Sequence, residues 1–245
     1  MIKVALIGYG KMGKTIEKLI EKDFPDMEII FKFNQDSVND FTIENLKKVD
    51  VAIEFTQPET AAINVMKCFD AGIPVVCGTT GWYQQLNDVK QVCIEKNMAL
   101  LYATNFSIGM NIYFEINQRL AQLMSGKNYA ASISETHHTQ KLDKPSGTAV
   151  TLAEQIIDHH LNYIKWELND SPSSERLSLS INAIREENVP GTHLIKYENE
   201  IDIIEIKHEA KSRDGFAQGA ILAARWLIGK QGYYGMKDVL QQNNI

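Results

Sequence analysis

Short apolar runs alternate with amphipathic stretches through the first half of the chain. Residues 2–7 form a short apolar run rich in β-branched residues, typical of a buried parallel strand, and helical spacing follows up to Pro25. The same pattern predicts strands at 27–33, 51–56, 74–77 and 98–103, and helices at 58–71 and after Gly81. Strands that alternate with helices predict a parallel sheet, with a ligand crevice at the carboxyl ends of its strands.

The pattern changes from Ile108 onward. It predicts helices at 111–124, 148–160 and 215–228, a polar link at 169–175, and strands at 129–136, 177–184, 193–197 and 201–208. Several of these strands are joined by turns, and the last helix is expected to return to the first domain. The predicted fold class is α/β, with a Rossmann-type parallel-sheet dinucleotide-binding domain (1–107 and 214–245). A second, α+β domain (108–213) is expected to hold an open, mainly antiparallel sheet.

Composition excludes several classes of protein. With 44% hydrophobic and 23% charged residues, the chain resembles ordinary globular proteins, and its net charge of −6 argues against nucleic acid as a partner. We find no apolar run of about 20 residues and no signal-peptide pattern at the start, so neither a membrane partner nor export is expected. The three cysteines form no Cys-x-x-Cys pair, and free thiols in a cytoplasmic protein are expected.

A glycine-rich turn follows the first predicted strand at once. In Gly8-Tyr9-Gly10-Lys11-Met12-Gly13, the first glycine permits a tight turn and the second lets a pyrophosphate approach the backbone. The third lets helix and strand pack closely. An incidental turn is the alternative, but the strand–turn–helix context favours a dinucleotide site.

The choice between NADH and NADPH stays open. An acid that binds the adenosine ribose is expected about 20 residues beyond the glycines, and Asn34 follows the second strand there. Asn34 could bind a ribose hydroxyl, Lys32 could approach a 2′-phosphate, and Asp36 could serve NAD. Other strand ends, at Thr56, 78–80 and 103–106, should share the same sheet edge, although each is also compatible with ordinary turn chemistry.

The segment from Glu135 to Thr148 holds the candidate chemistry. His137 and His138 leave a strand, Lys141 follows, and Ser146-Gly147-Thr148 begins a helix, whose free N–H groups and dipole favour anions. This set predicts a site for a small molecule with one or two carboxylates, with His137 exchanging a proton. A polar surface loop is the plain alternative. Metal binding is weaker, since adjacent strand residues face opposite sides, and no metal is predicted.

With these motifs placed, the chain resembles the 4-hydroxy-tetrahydrodipicolinate reductase (dihydrodipicolinate reductase) family over nearly its whole length. The most specific string is His-His-x-x-Lys-x-Asp-x-Pro-Ser-Gly-Thr, at 137–148. Four further segments add to it: 54–59, 78–81, 105–111 and 212–220. The resemblance implies NADH- or NADPH-dependent reduction of 4-hydroxy-tetrahydrodipicolinate to tetrahydrodipicolinate, with loss of water, in lysine biosynthesis through diaminopimelate. It also implies a cytoplasmic homotetramer assembled through the second domain's sheet.

The resemblance further implies roles for individual residues. His137 would be the acid/base and Lys141 the proton donor, and the substrate would be held by His138, Ser146, Gly147 and Thr148. The implied cofactor contacts are Gly8, Tyr9, Gly10, Lys11, Met12, Asn34, Gly78, Thr79, Thr80, Ala103, Thr104, Asn105 and Phe106. Two departures from many relatives stand out: Thr139 and Gln140 replace basic residues, and Asn34 replaces an acid.

Two other functions are compatible with the same residues. The first is another two-domain dehydrogenase, acting on an amino or hydroxy dicarboxylate. The second is a dinucleotide sensor that keeps the fold without the chemistry. The intact His137, Lys141 and Ser-Gly-Thr set argues against the sensor.

Overall fold

A computed structural model describes residues 1–168 and 177–242, so the predicted polar link at 169–175 lies outside the described residues. The strands are β1 (Ile2–Ile7), β2 (Met27–Phe33), β3 (Val51–Glu54), β4 (Val75–Cys77), β5 (Ala99–Tyr102), β6 (Ala130–His137), β7 (Lys165–Leu168), β8 (Ser178–Arg185), β9 (Gly191–Glu198), β10 (Ile203–Ala210) and β11 (Gly232–Tyr234). The α-helices are α1 (Lys11–Asp23), α2 (Ile43–Leu46), α3 (Pro58–Asp70), α4 (Tyr83–Glu95), α5 (Ile108–Met124), α6 (Gly147–His159), α7 (Asp214–Leu227) and α8 (Met236–Gln242). The chain divides into two compact units, one formed by Met1–Ile108 with the segment from Arg213 onward, the other by Gly109–Ser212.

The first unit is built on a parallel sheet. Over the described ranges its strand order is β11-β5-β4-β3-β1-β2, and every pairing is parallel. In β1, Val4 and Leu6 enter one apolar core with α1 and α7, whereas Ala5 and Ile7 enter a second core with α3 and α4. Because both faces are covered, residues 4–7 of this strand are continuously apolar rather than alternating. The predicted return of the last long helix to this domain is confirmed by α7.

The crevice position follows from the strand order. β1 has β2 on one side and β3 on the other. The chain therefore adds β2 on one side of β1 and then returns to add β3, β4 and β5 on the other side. Ligands of such sheets bind beyond the carboxyl ends of the strands at this switch point. The loops after β1, β2, β3 and β4 are therefore the ones expected to meet a ligand.

The second unit contains a mixed sheet. Its described strands lie in the order β10-β9-β6-β8-β7, with antiparallel pairing from β10 to β6 and parallel pairing from β6 to β7. The fold class is confirmed, but the predicted, mainly antiparallel sheet missed the two parallel pairings. β7 was also not predicted, because Lys165 and Glu167 interrupt its short apolar pattern. Since α6 connects β6 to β7, the two strands can run in the same direction.

The central strand of this sheet carries polar residues on its buried face. Along β6, Ala131, Ile133, Glu135 and His137 are buried and the residues between them are partly exposed. The apolar members pack into a core with α5 and α6. Buried carboxylate and imidazole groups at the end of an otherwise apolar face require polar partners, which directs attention to Glu135 and His137.

Among the described residues, no helix has the length and apolarity needed to cross a membrane.

Candidate functional site

A cavity of about 880 Å³ opens at the carboxyl edge of the parallel sheet in the first unit. Its walls come from the loops after β1, β2, β3 and β4, as the strand order requires. Among the lining residues are nine of the predicted cofactor contacts: Gly8, Tyr9, Gly10, Lys11, Met12, Asn34, Gly78, Thr79 and Thr80. The structure thus brings together residues that lie up to 72 positions apart in the sequence, from Gly8 to Thr80.

The glycines of the first loop are required by close backbone contacts. Gly8 has a φ of +96°, and a Cβ there would lie 1.9 Å from the carbonyl oxygen of Phe55. A Cβ on Gly13 would lie 2.5 Å from the carbonyl oxygen of Gly8, so α1 packs directly against the end of β1. Within the described residues nothing lies within 4 Å of a Cβ built on Gly10, which leaves its backbone open to a ligand.

Asn34 forms a compact turn at the cavity wall. Its Oδ1 accepts hydrogen bonds from the backbone N–H groups of Asp36 and Ser37, at 2.9 and 3.0 Å. The amide oxygen is therefore occupied by the chain itself, and the amide NH₂ is the group left to face a ribose. Lys32 instead forms an ion pair with Glu17, which also accepts a hydrogen bond from Tyr9. These two donors lower the pKa of the Glu17 carboxyl.

The loops after β3 and β4 are tied to each other. Thr79 is buried, and its Oγ1 accepts a hydrogen bond from the backbone N–H of Thr56 at 2.7 Å. A Cβ on Gly78 would collide with the ring of Phe55, at 2.1 Å. The side chains of Thr79 and Phe55 therefore shape the cavity wall.

The segment after β5 is placed differently from the other predicted contacts. Phe106 is buried in the apolar core of the first unit, and its ring lies 5.7 Å from that of Phe55. Asn105 Oδ1 accepts a hydrogen bond from Ser107 N–H at 2.9 Å, and Thr104 is exposed. Ala103, Thr104, Asn105 and Phe106 do not line the cavity.

Sequence reasoning missed several residues of the cavity wall. Phe55, Gln57, Thr60 and Asn64 line it, at and beyond the end of β3. The available signal was positional, since all four follow the strand next to β1 in a parallel sheet. Behind them, the buried carboxylate of Glu54 accepts hydrogen bonds from Thr56, from Asn64 at 3.3 Å and from Cys77 at 3.1 Å.

In the second unit, His137 is bound to a buried carboxylate. Its Nδ1 forms a hydrogen bond with Oε2 of Glu135, two residues earlier on the same strand face. A carboxylate only accepts, so the proton of this bond lies on Nδ1. His137 Nε2 lies over Gly191, where a Cβ would come within 3.0 Å of it. The imidazole is thus held in one orientation.

Glu135 also has a charged partner, Arg185. The guanidinium Nη1 lies 3.0 Å from Oε1 of Glu135, and the Glu135 side chain is fully buried. Burial acts to raise the pKa of this carboxyl, but the hydrogen bonds and charges of His137 and Arg185 lower it to about 2. Glu135 is therefore ionised throughout the neutral range.

His193 was not predicted from the sequence. It lies opposite Glu135 on β9, its ring centroid is 5.1 Å from that of His137, and its Nε2 is 3.3 Å from Ser146 Oγ. Burial, followed by the charge of His137, lowers the pKa of His193 to about 3. It is thus a neutral partner at physiological pH. A histidine on an alternating strand, 56 residues after His137, offered no local signal.

Ser146 is the N-cap of α6. Its Oγ accepts a hydrogen bond from Ala149 N–H at 3.2 Å, and its own N–H donates to Glu135 Oε1 at 3.2 Å. Gly147 is exposed and Thr148 is partly exposed. The helix start is therefore open to solvent at Gly147 and Thr148, while the Ser146 side chain faces inward.

Lys141 and His138 lie on the loop between β6 and α6. Lys141 Nζ is 2.8 Å from Asp143 Oδ2. Burial acts to raise the pKa of Asp143, but the Lys141 ammonium and the backbone N–H groups of Asp143 and Gly147 keep it below its ordinary value. His138 is partly exposed, and among the described residues its Nδ1 finds no hydrogen-bond partner.

Three of these side chains could in principle gather around a metal ion. Ligand atoms of Glu135, His137 and His193 lie within 4.8 Å of one another. However, Glu135 already accepts hydrogen bonds on both oxygens, and Arg185 lies against it. A cation would have to displace a guanidinium, so the arrangement favours a hydrogen-bonded network.

Comparisons with known proteins identify the family. Residues 2–106 match the family model for dihydrodipicolinate reductase, N-terminus, and residues 109–240 match that for its C-terminus. The chain belongs to the dihydrodipicolinate reductase family. The family predicted from the sequence is thereby confirmed.

Individual relatives are similar to this chain in sequence over nearly their whole length. A 4-hydroxy-tetrahydrodipicolinate reductase of Christiangramia forsetii is 47% identical over 244 residues, covering 98% of both chains. One of Rickettsia rickettsii is 35% identical, covering 98% of this chain and 99% of that one. The fold is similar to a dipicolinate-bound dihydrodipicolinate reductase from a Paenisporosarcina species, with a TM-score of 0.79, 23% identity, and coverage of 98% of this chain and 100% of that one.

Proposed function

We propose that this chain transfers a hydride from NADH or NADPH to 4-hydroxy-tetrahydrodipicolinate in lysine biosynthesis through diaminopimelate. In the balanced reaction, the substrate, the reduced cofactor and one proton give tetrahydrodipicolinate, the oxidised cofactor and water. The predicted enzyme class, an NAD(P)H-dependent oxidoreductase, is confirmed by the family. When bound, the nicotinamide supplies the hydride, and the protein supplies binding, orientation and charge.

The two parts of the chain take separate tasks in this proposal. Residues 1–107 and 214–245 bind the dinucleotide, and residues 108–213 bind the substrate and form the oligomer. The cavity beside the glycine loop supports the first assignment, since the open backbone at Gly10 suits a pyrophosphate. The polar cluster at the end of β6 supports the second.

The contacts of Asp143 carry the proposal of a carboxylate substrate. The chain's own carboxylate is held by the Lys141 ammonium and by the Gly147 N–H at the start of α6. An ammonium group and a helix start together favour carboxylates, through charge and through unpaired N–H donors. A dicarboxylate substrate would take over these donors from Asp143, with His138, Ser146, Gly147 and Thr148 as the proposed binding residues.

His137 and Lys141 act on protons in this proposal. His137 presents Nε2 while Nδ1 is bound to Glu135, so one nitrogen is left to exchange a proton. Lys141 carries three donors on a flexible stem and can both offset substrate charge and deliver a proton. Charge offset at the developing electron-rich ring is the larger of the two contributions expected from such a group.

A steady-state assay tests the function directly. Oxidation of NADH and of NADPH should depend on freshly prepared 4-hydroxy-tetrahydrodipicolinate and should be absent with amino or hydroxy dicarboxylic acids. Turnover on those acids alone would favour the other dehydrogenase. Cofactor binding without any oxidation would favour the sensor.

We also propose a cytoplasmic homotetramer. Cys68, Cys77 and Cys93 are buried free thiols, as a reducing compartment allows, and fractionation of the native host checks this location. For assembly, β10 is an edge strand of its sheet over the described residues. Ile203, its first residue, is 54% exposed, and Ile201, just before it, is 87% exposed. An unpaired edge with exposed isoleucines favours association with a second chain.

Charge at this edge should break the assembly. Ile203→Lys is expected to lower the mass measured by light scattering from four chains to a smaller species, because a lysine at an apolar interface would be left without a partner. Ile63→Lys is the matched control, since Ile63 is 66% exposed on α3, in the other unit. A monomeric unaltered chain, or an Ile203→Lys tetramer, would contradict this interface.

A further inference from the structure

Arg185 joins the two proposed reacting groups through three different nitrogens. Its Nε donates to the carbonyl oxygen of Lys141 at 3.3 Å, and its Nη2 donates to that of Asp143 at 2.5 Å. Its Nη1 donates to Glu135 Oε1 at 3.0 Å and to the carbonyl oxygen of Ile184 at 2.7 Å. One guanidinium thus fixes the backbone on both sides of Leu142 and binds the carboxylate behind His137.

Glu135 serves three donors with two oxygens. Oε2 receives His137 Nδ1, while Oε1 receives Arg185 Nη1 and the Ser146 N–H at the start of α6. The side chain is fully buried, so its charge requires these partners. A buried ion pair contributes little stability compared with well-packed apolar residues, so stability alone does not account for its presence.

We propose that the Arg185–Glu135 ion pair is a positioning unit for the reaction. Glu135 fixes the tautomer and orientation of His137, and Arg185 holds the Lys141–Asp143 backbone so that the Lys141 ammonium stays in register with His137. This proposal rests on the proposed roles of His137 and Lys141. Neither Arg185 nor Glu135 is expected to touch the substrate, and each acts through the group that it holds.

The strand register explains why these residues meet. His137 lies opposite Arg185 in the parallel β6–β8 pair, and Glu135 lies opposite His193 in the antiparallel β6–β9 pair. Arg185 therefore reaches across the end of β6 toward both Glu135 and the loop. His137, its carboxylate partner Glu135 and the loop that carries Lys141 therefore lie together at one end of β6.

Two substitutions separate positioning from simple charge. In Arg185→Lys the charge beside Glu135 remains, but a single ammonium cannot replace a planar fork that reaches the carboxylate and two carbonyls. In Glu135→Gln the shape remains, but one amide oxygen must serve the donors of His137, Arg185 and Ser146. Both variants are expected to lower kcat by about 100-fold, the effect of a displacement of about 1 Å.

The experiment measures kcat, the KM for NADH, the melting temperature and the ¹⁵N shifts of the His137 ring in the full chain. Arg185→Lys, Glu135→Gln and the double variant are compared with Glu198→Gln, which removes the surface partner of Lys196 on β9. The expected result is a large loss of kcat with KM for NADH within about twofold of the unaltered chain. The double variant should lose no more kcat than the more impaired of the two single variants, because the pair acts as one unit.

The ¹⁵N spectrum of the His137 ring distinguishes a positioning role from a purely stabilising role of the ion pair. In the unaltered chain the neutral His137 ring should carry its proton on Nδ1, and Glu135→Gln should give a mixture of tautomers. Loss of melting temperature with unchanged kcat and an unchanged ring spectrum would overturn the proposal, as would losses that multiply in the double variant. Glu135→Gln is nearly isosteric, so it keeps the test decisive should Arg185→Lys fail to fold.

His137→Gln and Lys141→Ala are measured in the same assay to separate the proposed catalytic roles from the positioning role. Unaltered turnover in both would remove the proposed catalytic roles, and the positioning proposal with them. Loss of turnover in both, with Arg185→Lys and Glu135→Gln matching the unaltered chain, would overturn the positioning proposal alone.

Discussion

Lys141→Ala is expected to lower kcat by about 10²–10⁴-fold while leaving the KM for NADH and NADPH nearly unchanged. The proposed role of Lys141 is to offset the charge of the substrate and to deliver a proton, and both are lost with the ammonium. The cofactor constants should stay near their original values, because the candidate dinucleotide cavity is lined by residues of the first unit and Lys141 belongs to the second.

Steady-state kinetics with both cofactors measure this effect. Lys207→Ala is the matched control, since Lys207 pairs with Glu209 two residues along the chain, at 2.6 Å, just as Lys141 pairs with Asp143. Turnover of Lys141→Ala equal to that of the control would remove Lys141 from the mechanism. A large rise in KM for the cofactor would instead place Lys141 near the dinucleotide.

Acid is expected to weaken the fold strongly through His193. Burial, followed by the charge of His137, lowers the pKa of His193 to about 3 in the folded chain, whereas an ordinary histidine titrates near pH 6.5. Between these values the unfolded chain binds the extra proton. The stability contributed by neutral His193 is therefore complete above about pH 6.5 and falls by about 1.4 kcal/mol per pH unit toward pH 3.

Glu135 extends the same trend to lower pH. Although burial acts to raise its pKa, His137 and Arg185 lower it to about 2, below the ordinary carboxyl value near 4.3. Its contribution is thus present above about pH 4.3 and is lost as the pH falls toward 2.

Urea unfolding at pH 7.5, 6 and 5 measures the slope assigned to His193. His193→Gln should lower the free energy of unfolding at pH 7.5 but should flatten its dependence on pH by about one proton. His159→Gln is the control, since His159 is only partly buried near the end of α6. Parallel pH curves for the unaltered chain and His193→Gln would contradict this role.

The local sequence pattern was enough to predict most of the first unit. An apolar run, three glycines and an amphipathic helix are dictated by neighbours in the chain, and the structure gives Gly8 and Gly13 the steric roles expected of them. The start of α6 at Ser146 was likewise readable, because a capping serine acts on N–H groups within three residues. Such features can be predicted from the sequence because the interactions that fix them are between residues close together in the chain.

The tertiary structure alone decided what surrounds His137. Glu135, Arg185 and His193 belong to three strands, and they meet only because β8 and β9 flank β6 in a particular register. Shifting one of those strands by a single residue would turn its side chains to the other face of the sheet. The parallel pairing of β6 with β8 and of β8 with β7 could not be predicted from the sequence for the same reason. It depends on which strands pair after long crossover connections.

The sequence by itself therefore determined the fold class, the glycine turn and the His-Lys-Ser-Gly-Thr segment, because each is specified by residues close together in the chain. Only the tertiary structure decided that Lys32 pairs with Glu17, and that Arg185 binds both Glu135 and the backbone carbonyl groups of Lys141 and Asp143. Hydrogen bonds and ion pairs are satisfied by whichever group the fold brings within about 3 Å, and sequence separation carries no information about that distance.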